Sequence, residues 1–229
     1  MLEPIGSGIW IIDGPTVSFF GMPYPTRSVL VRLRNGGIWV WSPIALTPEL
    51  AAAVDELGSV SDIVSPNKIH HLFMRDWSER WPDAQLHTPP GLAKRRPELA
   101  ADSELGDIPA PAWKDQIDQV VIRGSFAMEE VWFFHRESRT AIVGDLVQKF
   151  DPATLRPWHR LVMRLDGLVG PSGSTPREWR ASFWNRSLAR TSVRKALAWI
   201  PEQVVVAHGR WIRSNGAEIL RTSLRWLRP

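Results

Sequence analysis

Not one of the 229 residues is cysteine. Disulfides, thiolate metal sites and thiol nucleophiles are therefore excluded, and the absence fits a reducing compartment. Long apolar runs are also missing. The longest, Ile38 to Trp41 and Val131 to Phe134, are strand-sized and fall far short of the roughly 20 residues that span a bilayer. The opening Met1-Leu-Glu-Pro-Ile-Gly-Ser-Gly8 lacks a basic stretch followed by an apolar one, so no signal peptide, no membrane contact and a cytoplasmic location are expected. Lysine is scarce: 5 of the 28 basic residues are Lys and the rest Arg. The net charge is +4, yet no block of like charge appears. Arg177, Arg180, Arg186, Arg190 and Arg194 fall around a helix rather than along one stripe, as on a solvated face, and a nucleic-acid partner is not expected. Internal repeats are absent.

With 44% hydrophobic and 23% charged residues, the composition is that of an ordinary globular chain, and one domain over residues 1–229 is expected. Gly8 to Ile12 and Ser28 to Leu33 read as short strands, and Asn35-Gly36-Gly37 as a tight turn into Ile38 to Trp41. Thr47-Pro48-Glu49 is a helix start, with Leu50, Val54 and Leu57 on one face and Gly58 as its end. A strand at Asp62 to Ser65, a turn at Pro66 to His71 and a helix carrying Met74, Trp77 and Trp81 follow. Residues 88–115 read as a long surface connection with one short helix. Strands return at Gln119 to Ile122, Glu130 to Phe134 and Thr140 to Val143. A long helix is predicted from Pro176 to Trp199, with Trp179, Phe183, Leu188 and Leu197 inward. Val204 to Ala207 is a buried strand, and Asn215 with Glu218 has capping-box spacing before a last helix. Of the 13 Trp, Trp39 and Trp41 are expected half in core and half at the surface, and Trp77 and Trp81 against a sheet. Two successive halves, each of strands then helices, favour an α/β fold of two face-to-face sheets with helices outside.

Chemistry concentrates at strand ends. His70 and His71 follow one apolar strand across a turn, Asp145 follows another, and His208 follows a third directly. In open α/β sheets, functional groups gather beyond the carboxyl ends of strands. Imidazole and carboxylate are the ligand set of zinc, iron or manganese, so a site of His70, His71, Asp145 and His208 is a candidate metal centre. A lone histidine more often serves structure, and His87, His135 and His159 are read that way.

These residues resemble the metallo-β-lactamase superfamily. With the last His of its His-x-His-x-Asp-His signature set on His71, the Asp position falls on His70 and the two earlier His positions on Lys68 and Pro66. Ile142-Val-Gly-Asp145 is similar to the superfamily's Gly-Asp after an apolar strand, and Val205-Val206-Ala207-His208-Gly209 to its late strand and Gly-His-Gly. The departures are grouped. No histidine lies in Gly124 to Glu130, where the middle His belongs, and Ser42-Pro43 stands in place of an early Asp.

The resemblance, which is to a branch of unknown function with a degenerate motif, implies a four-layer αββα sandwich. It also implies one divalent metal ion held by His70, His71, Asp145 and His208, zinc first and iron or manganese next. The implied activity is that of a hydrolase on a small-molecule substrate, with Asp145 at the centre and Glu130 (or Glu129) as general base or extra ligand. The alternatives are a non-catalytic binding module on a decayed hydrolase fold and a mononuclear iron or manganese redox centre.

Overall fold

The computed structural model describes residues 1–19 and 22–229, with the side chains of 19–23 left out of the description. Strands β1 (Glu3–Gly6), β2 (Ile9–Phe19), β3 (Met22–Arg32), β4 (Ile38–Trp41), β5 (Val60–Val64), β6 (Gln85–Thr88) and β7 (Ser103–Glu104) form one sheet in sequence order. The second sheet is ordered β11-β10-β9-β8, from β8 (Ile117–Ile122), β9 (Glu130–His135), β10 (Thr140–Val143) and β11 (Gln203–Val206). Pairing is antiparallel from β1 to β4 and parallel from β4 to β7, and β10 runs parallel to β11.

The layering follows from side-chain alternation along each strand. Val29, Val31, Trp39 and Trp41 of the first sheet meet Val131, Phe133, Ile142 and Val205 of the second in one core between the sheets. The intervening residues face outward. Leu30, Ile38, Val40 and Ile63 pack under α1 (Pro48–Leu57) and α2 (Met74–Arg80), through Val54, Met74 and Trp77. Trp132, Phe134, Val143 and Val204 do the same under α6 (Arg186–Leu197) and α7 (Gly216–Ser223), through Val193 and Leu220. Helix, sheet, sheet and helix make the four layers that the sequence led us to expect. The described residues hold three further α-helices, α3 (Leu92–Arg95), α4 (Pro157–Leu165) and α5 (Arg177–Ser182).

Several expectations change. The first hairpin is much longer than the apolar runs suggested: β2 and β3 are 11 residues each, extended through polar positions by their mutual ladder. Trp39 and Trp41 are both fully buried, because β4 is covered on both faces. The connection over 88–115 holds, besides the short helix α3, a strand that was not expected, β7, which pairs with β6. The long helix from Pro176 breaks at Phe183–Asn185, where the Asn185 side chain accepts from Leu188 N at 3.0 Å and starts α6 afresh; Leu188 is exposed rather than inward. Asn215 does precede α7, but in a left-handed conformation without a side-chain cap.

Candidate metal centre

Four strand ends deliver the site. β4 ends at Ser42, β5 leads through Pro66-Asn67 to His70, β10 ends at Gly144-Asp145, and β11 ends at Ala207-His208. Asp145 is the hub. Its Oδ2 lies 3.0 Å from His70 Nε2 and its Oδ1 2.9 Å from His208 Nε2. Among the described residues, one ligand atom each of His70, Asp145 and His208 falls within 4.8 Å of the others, a spacing that could hold a metal ion.

The far side of each imidazole is anchored. His208 Nδ1 is 2.7 Å from the carbonyl of Pro25. A carbonyl only accepts, so Nδ1 carries the proton and donates. A neutral His208 then turns a bare Nε2 toward a carboxylate oxygen at 2.9 Å, two lone pairs facing each other. The contact is satisfied only if a cation or a further proton joins them. His70 Nδ1 lies 2.6 Å from Ser42 Oγ, a hydroxyl that can donate or accept. Ser42 holds a left-handed φ of 51°, an uncommon conformation for a side-chain-bearing residue, at a buried position on the cavity wall.

Behind Asp145 sits a polar scaffold. Asn67 Nδ2 donates to Asp145 Oδ2 (2.7 Å) and to Glu130 Oε2 (2.9 Å). Its Oδ1 accepts from Ile69 N and His70 N, which pins the loop carrying His70. Glu130 accepts from Trp132 Nε1 (2.6 Å), Gly144 N (3.0 Å) and Asp145 N (2.6 Å) as well as from Asn67. Gly144 is required by this approach, because a Cβ there would lie 2.7 Å from Glu130 Oε2. Gly209 is needed for a related reason: it has a φ of 93°, and a Cβ would collide with the Lys149 carbonyl. Arg27, itself buried, braces the same strand end by donating to Val206 O (2.9 Å) and Gly209 O (2.8 Å).

Charge follows the geometry. Burial raises the Asp145 carboxyl, but the His70 and His208 imidazoles overcome this and hold it far below the ordinary carboxylate range. Burial disfavours a charged His70, and the Asp145 carboxylate reverses that, so its pKa rises. Burial, then the Asp145 charge, push Glu130 up, while its N–H partners pull the other way.

The structure brings together three of the four residues proposed as ligands. His71 stands apart: its Nε2 is 2.7 Å from an Arg96 guanidinium nitrogen, which can only donate, so the lone pair it would offer a metal is already engaged. Burial, then Arg96, lower its pKa. Glu130 is placed behind the cluster, fully buried, with its oxygens turned to four N–H groups. A base needs a free lone pair facing substrate, and Glu130 turns none that way. Its position suits holding Asp145. The cavity in front is lined by Val17, Tyr24, Ser42, Leu72, Glu178 and Trp179 beside the cluster. The Tyr24 ring stands edge-on to His208 at 5.0 Å. Sequence reasoning missed Asn67, Pro25 and Arg27 as supports. The only available signal was a buried-type polar residue, Asn67, inside the Pro66 to His71 turn.

Against solved structures the whole chain superposes on metallo-β-lactamases. One from Pontibacter korlensis is 16% identical with a TM-score of 0.63, covering 96% of this chain and 98% of its own. One from Hirschia baltica is 12% identical with a TM-score of 0.66, covering 99% and 96%. FIM-1 from Pseudomonas aeruginosa, in a mono-zinc form, is 11% identical with a TM-score of 0.65, covering 100% and 94%. The fold is the metallo-β-lactamase fold. By sequence, the chain belongs to the family described as a domain of unknown function, DUF4336, whose model matches residues 7–156. That span takes in Ser42, Asn67, His70, Glu130 and Asp145 and ends before His208. No curated protein matches the sequence.

Proposed function

We propose that the chain is a metal-dependent hydrolase of a small molecule, with His70, Asp145 and His208 as ligands of one divalent ion, zinc first and iron or manganese next. The observation that carries this reading is the His208 tautomer. Pro25 O fixes the proton on Nδ1, so Nε2 offers its lone pair beside a carboxylate, a pairing suited to a cation. The donor set fits: two imidazoles and a carboxylate, each oriented by a partner on its far side, as metal ligands commonly are. Three protein ligands leave coordination positions open, which a structural site does not. A bound divalent ion supplies Lewis acidity and lowers the pKa of water toward neutrality.

The chain's own residues do the rest. Ser42 and Pro25 orient the two rings. Asn67 and Glu130 fix Asp145 from behind. Val17, Leu72 and Trp179 supply apolar walls around a substrate. Glu178 also lines the cavity, and burial raises its carboxyl above the ordinary value.

The test is elemental analysis of freshly purified protein together with a screen of ester, thioester, lactone and phosphoester hydrolysis. About one equivalent of metal, a chelator-sensitive activity, and loss of both in His208→Ala are expected. A folded wild type that takes up no metal even after reconstitution would sink the reading.

One distance favours a second reading. Ser42 Oγ, His70 and Asp145 lie in a row, at 2.6 and 3.0 Å, the order of a nucleophile, a base and its orienting acid. It requires the other His70 tautomer, with Nε2–H donated to Asp145. Covalent labelling of Ser42 by a fluorophosphonate, in chelated protein and abolished in Ser42→Ala, would favour it over the metal reading.

A further inference from the structure

Helix α4 turns its apolar side outward. Trp158, Leu161 and Leu165 have the i, i+3, i+7 spacing of one helix face and are 67%, 49% and 61% exposed. Toward the protein the same helix offers Met163, which packs with Phe150, Leu155 and Leu168. An exposed apolar stripe of this kind, beside charge, marks an interaction surface. Within the helix and at its start the charge is of one sign. Arg156 precedes the helix, and Arg160 and Arg164 stand one turn apart on its flank. Among the described residues none of the three is ion-paired.

Past Leu165 the surface dips into a pocket that Leu165 itself borders, walled by a Gly- and Ser-rich loop and by Arg177, Arg180 and Arg225. Arg180 is held in place by donating to Thr175 O and Ser174 Oγ, both at 2.6 Å. Burial lowers its pKa, and the Arg177 and Arg225 charges add to this. Asp166, 3.8 Å from Arg177 Nε, is the carboxylate in the wall. Between residues 156 and 180 the chain carries five Arg against Asp166 and Glu178, and Arg225 adds a sixth.

We propose that this face binds the surface of an anionic phospholipid bilayer, with Trp158, Leu161 and Leu165 in the interfacial layer and the Arg177, Arg180 and Arg225 pocket on a lipid phosphate. The absence of long apolar runs led to an expectation of no membrane contact. A helix that lies in the interface needs no such run, and no helix among the described residues is long and apolar enough to cross a membrane. Nine helical residues anchor weakly alone, and the basic pocket is the second signal that surface binding requires. Charge decides the occupant: a neutral apolar partner would leave the guanidiniums of Arg156, Arg160, Arg164, Arg180 and Arg225 without a carboxylate, whereas an anionic headgroup layer meets both features. The inference is independent of the metal chemistry. It is nonetheless linked to the cavity by α5, which turns Arg177 and Arg180 to the pocket and Glu178 and Trp179 to the cavity.

The experiment is sedimentation of the full chain with vesicles of phosphatidylcholine alone and of phosphatidylcholine mixed with phosphatidic acid. Binding is expected only with the anionic vesicles, and it should weaken as salt rises. The double substitution Trp158→Ser, Leu161→Ser should lower affinity by about tenfold or more. Arg177→Gln and Arg225→Gln should each lower it by about fivefold. All four side chains sit at the surface, and circular dichroism checks that each variant is folded. No binding to anionic vesicles at low salt, or binding that these substitutions leave unchanged, overturns the proposal. Saturable binding of inorganic phosphate that is lost in Arg225→Gln, without vesicle binding, would assign the pocket to a soluble phosphate and also overturn it. A wild-type dimer made monomeric by the Trp158→Ser, Leu161→Ser pair would assign the face to a second copy, with the same consequence.

Discussion

Among the described residues two buried aspartates meet histidine, Asp62 in β5 of the first sheet and Asp145 just past β10 of the second, and they differ in what surrounds them. His87 in β6 places Nε2 2.9 Å from Asp62 Oδ1 and Nδ1 2.7 Å from Ser103 Oγ, while the edge of Trp113 closes over its ring at 4.8 Å. Each nitrogen of that imidazole has one partner, and the side chain is 2% exposed. Asp145 instead receives two imidazoles, one with its proton fixed on the far nitrogen, at the wall of a cavity. The first arrangement is complete as it stands. The second needs a positive charge to be complete. A histidine next to an aspartate therefore says little; the count of donors and the open side tell a strut from a site.

The comparison can be broken in order of effect. Removing Asn67 should do most damage. Asn67→Ala leaves two buried carboxylates, Asp145 and Glu130, without the amide between them, costing about 3 kcal/mol in denaturant unfolding and about tenfold or more in metal affinity. His87→Ala should cost a similar 3 kcal/mol or slightly less, since it orphans the buried Asp62 carboxylate, yet leave metal content unchanged; loss of metal there would erase the distinction drawn above. Ser42→Ala removes one orienting partner and should weaken metal binding by about tenfold with little change in stability, measured by competition with a chromogenic chelator.

The smallest effect is one of pH. Burial lowers the His135 pKa, so the folded chain holds this ring neutral more strongly than the unfolded chain does. The stability it contributes is full above the ordinary histidine value of about 6.5 and is lost as pH falls through the lower folded value. The urea midpoint should drop between pH 8 and pH 5, and His135→Gln should flatten that drop.

How far the sequence reveals this depends on the range of the interactions. The layer order was readable because alternation is local: Val29, Leu30 and Val31 declare two faces within three residues. The turn at Asn35-Gly36-Gly37 was readable for the same reason, and Gly36 takes the left-handed φ of 87° that it requires. Asp145 and His208 stood out by following apolar strands directly. The supports did not, because they reach across the chain. Pro25 meets His208 across 183 positions and Asn67 meets Asp145 across 78, and no local pattern marks a proline carbonyl as a tautomer-setting acceptor. The signature alignment set its last His on His71 and its Asp position on His70, and the structure gives the cluster to His70 alone of the two. The bend after Asn67 turns His70 to Asp145, and Arg96 takes up His71. The long helix over 176–199 failed because apolar spacing continues across Phe183, while the Asn185 cap restarts the backbone.

The most direct test of the metal assignment is an anomalous difference map from crystals grown with zinc and measured at the zinc edge. A single peak bounded by His70 Nε2, Asp145 and His208 Nε2, with His71 still on Arg96, is the predicted result. A map without a peak there, with the Asp145 carboxylate hydrogen-bonded directly to both imidazoles, would contradict it and leave the cluster a structural strut, as the His87 contact is.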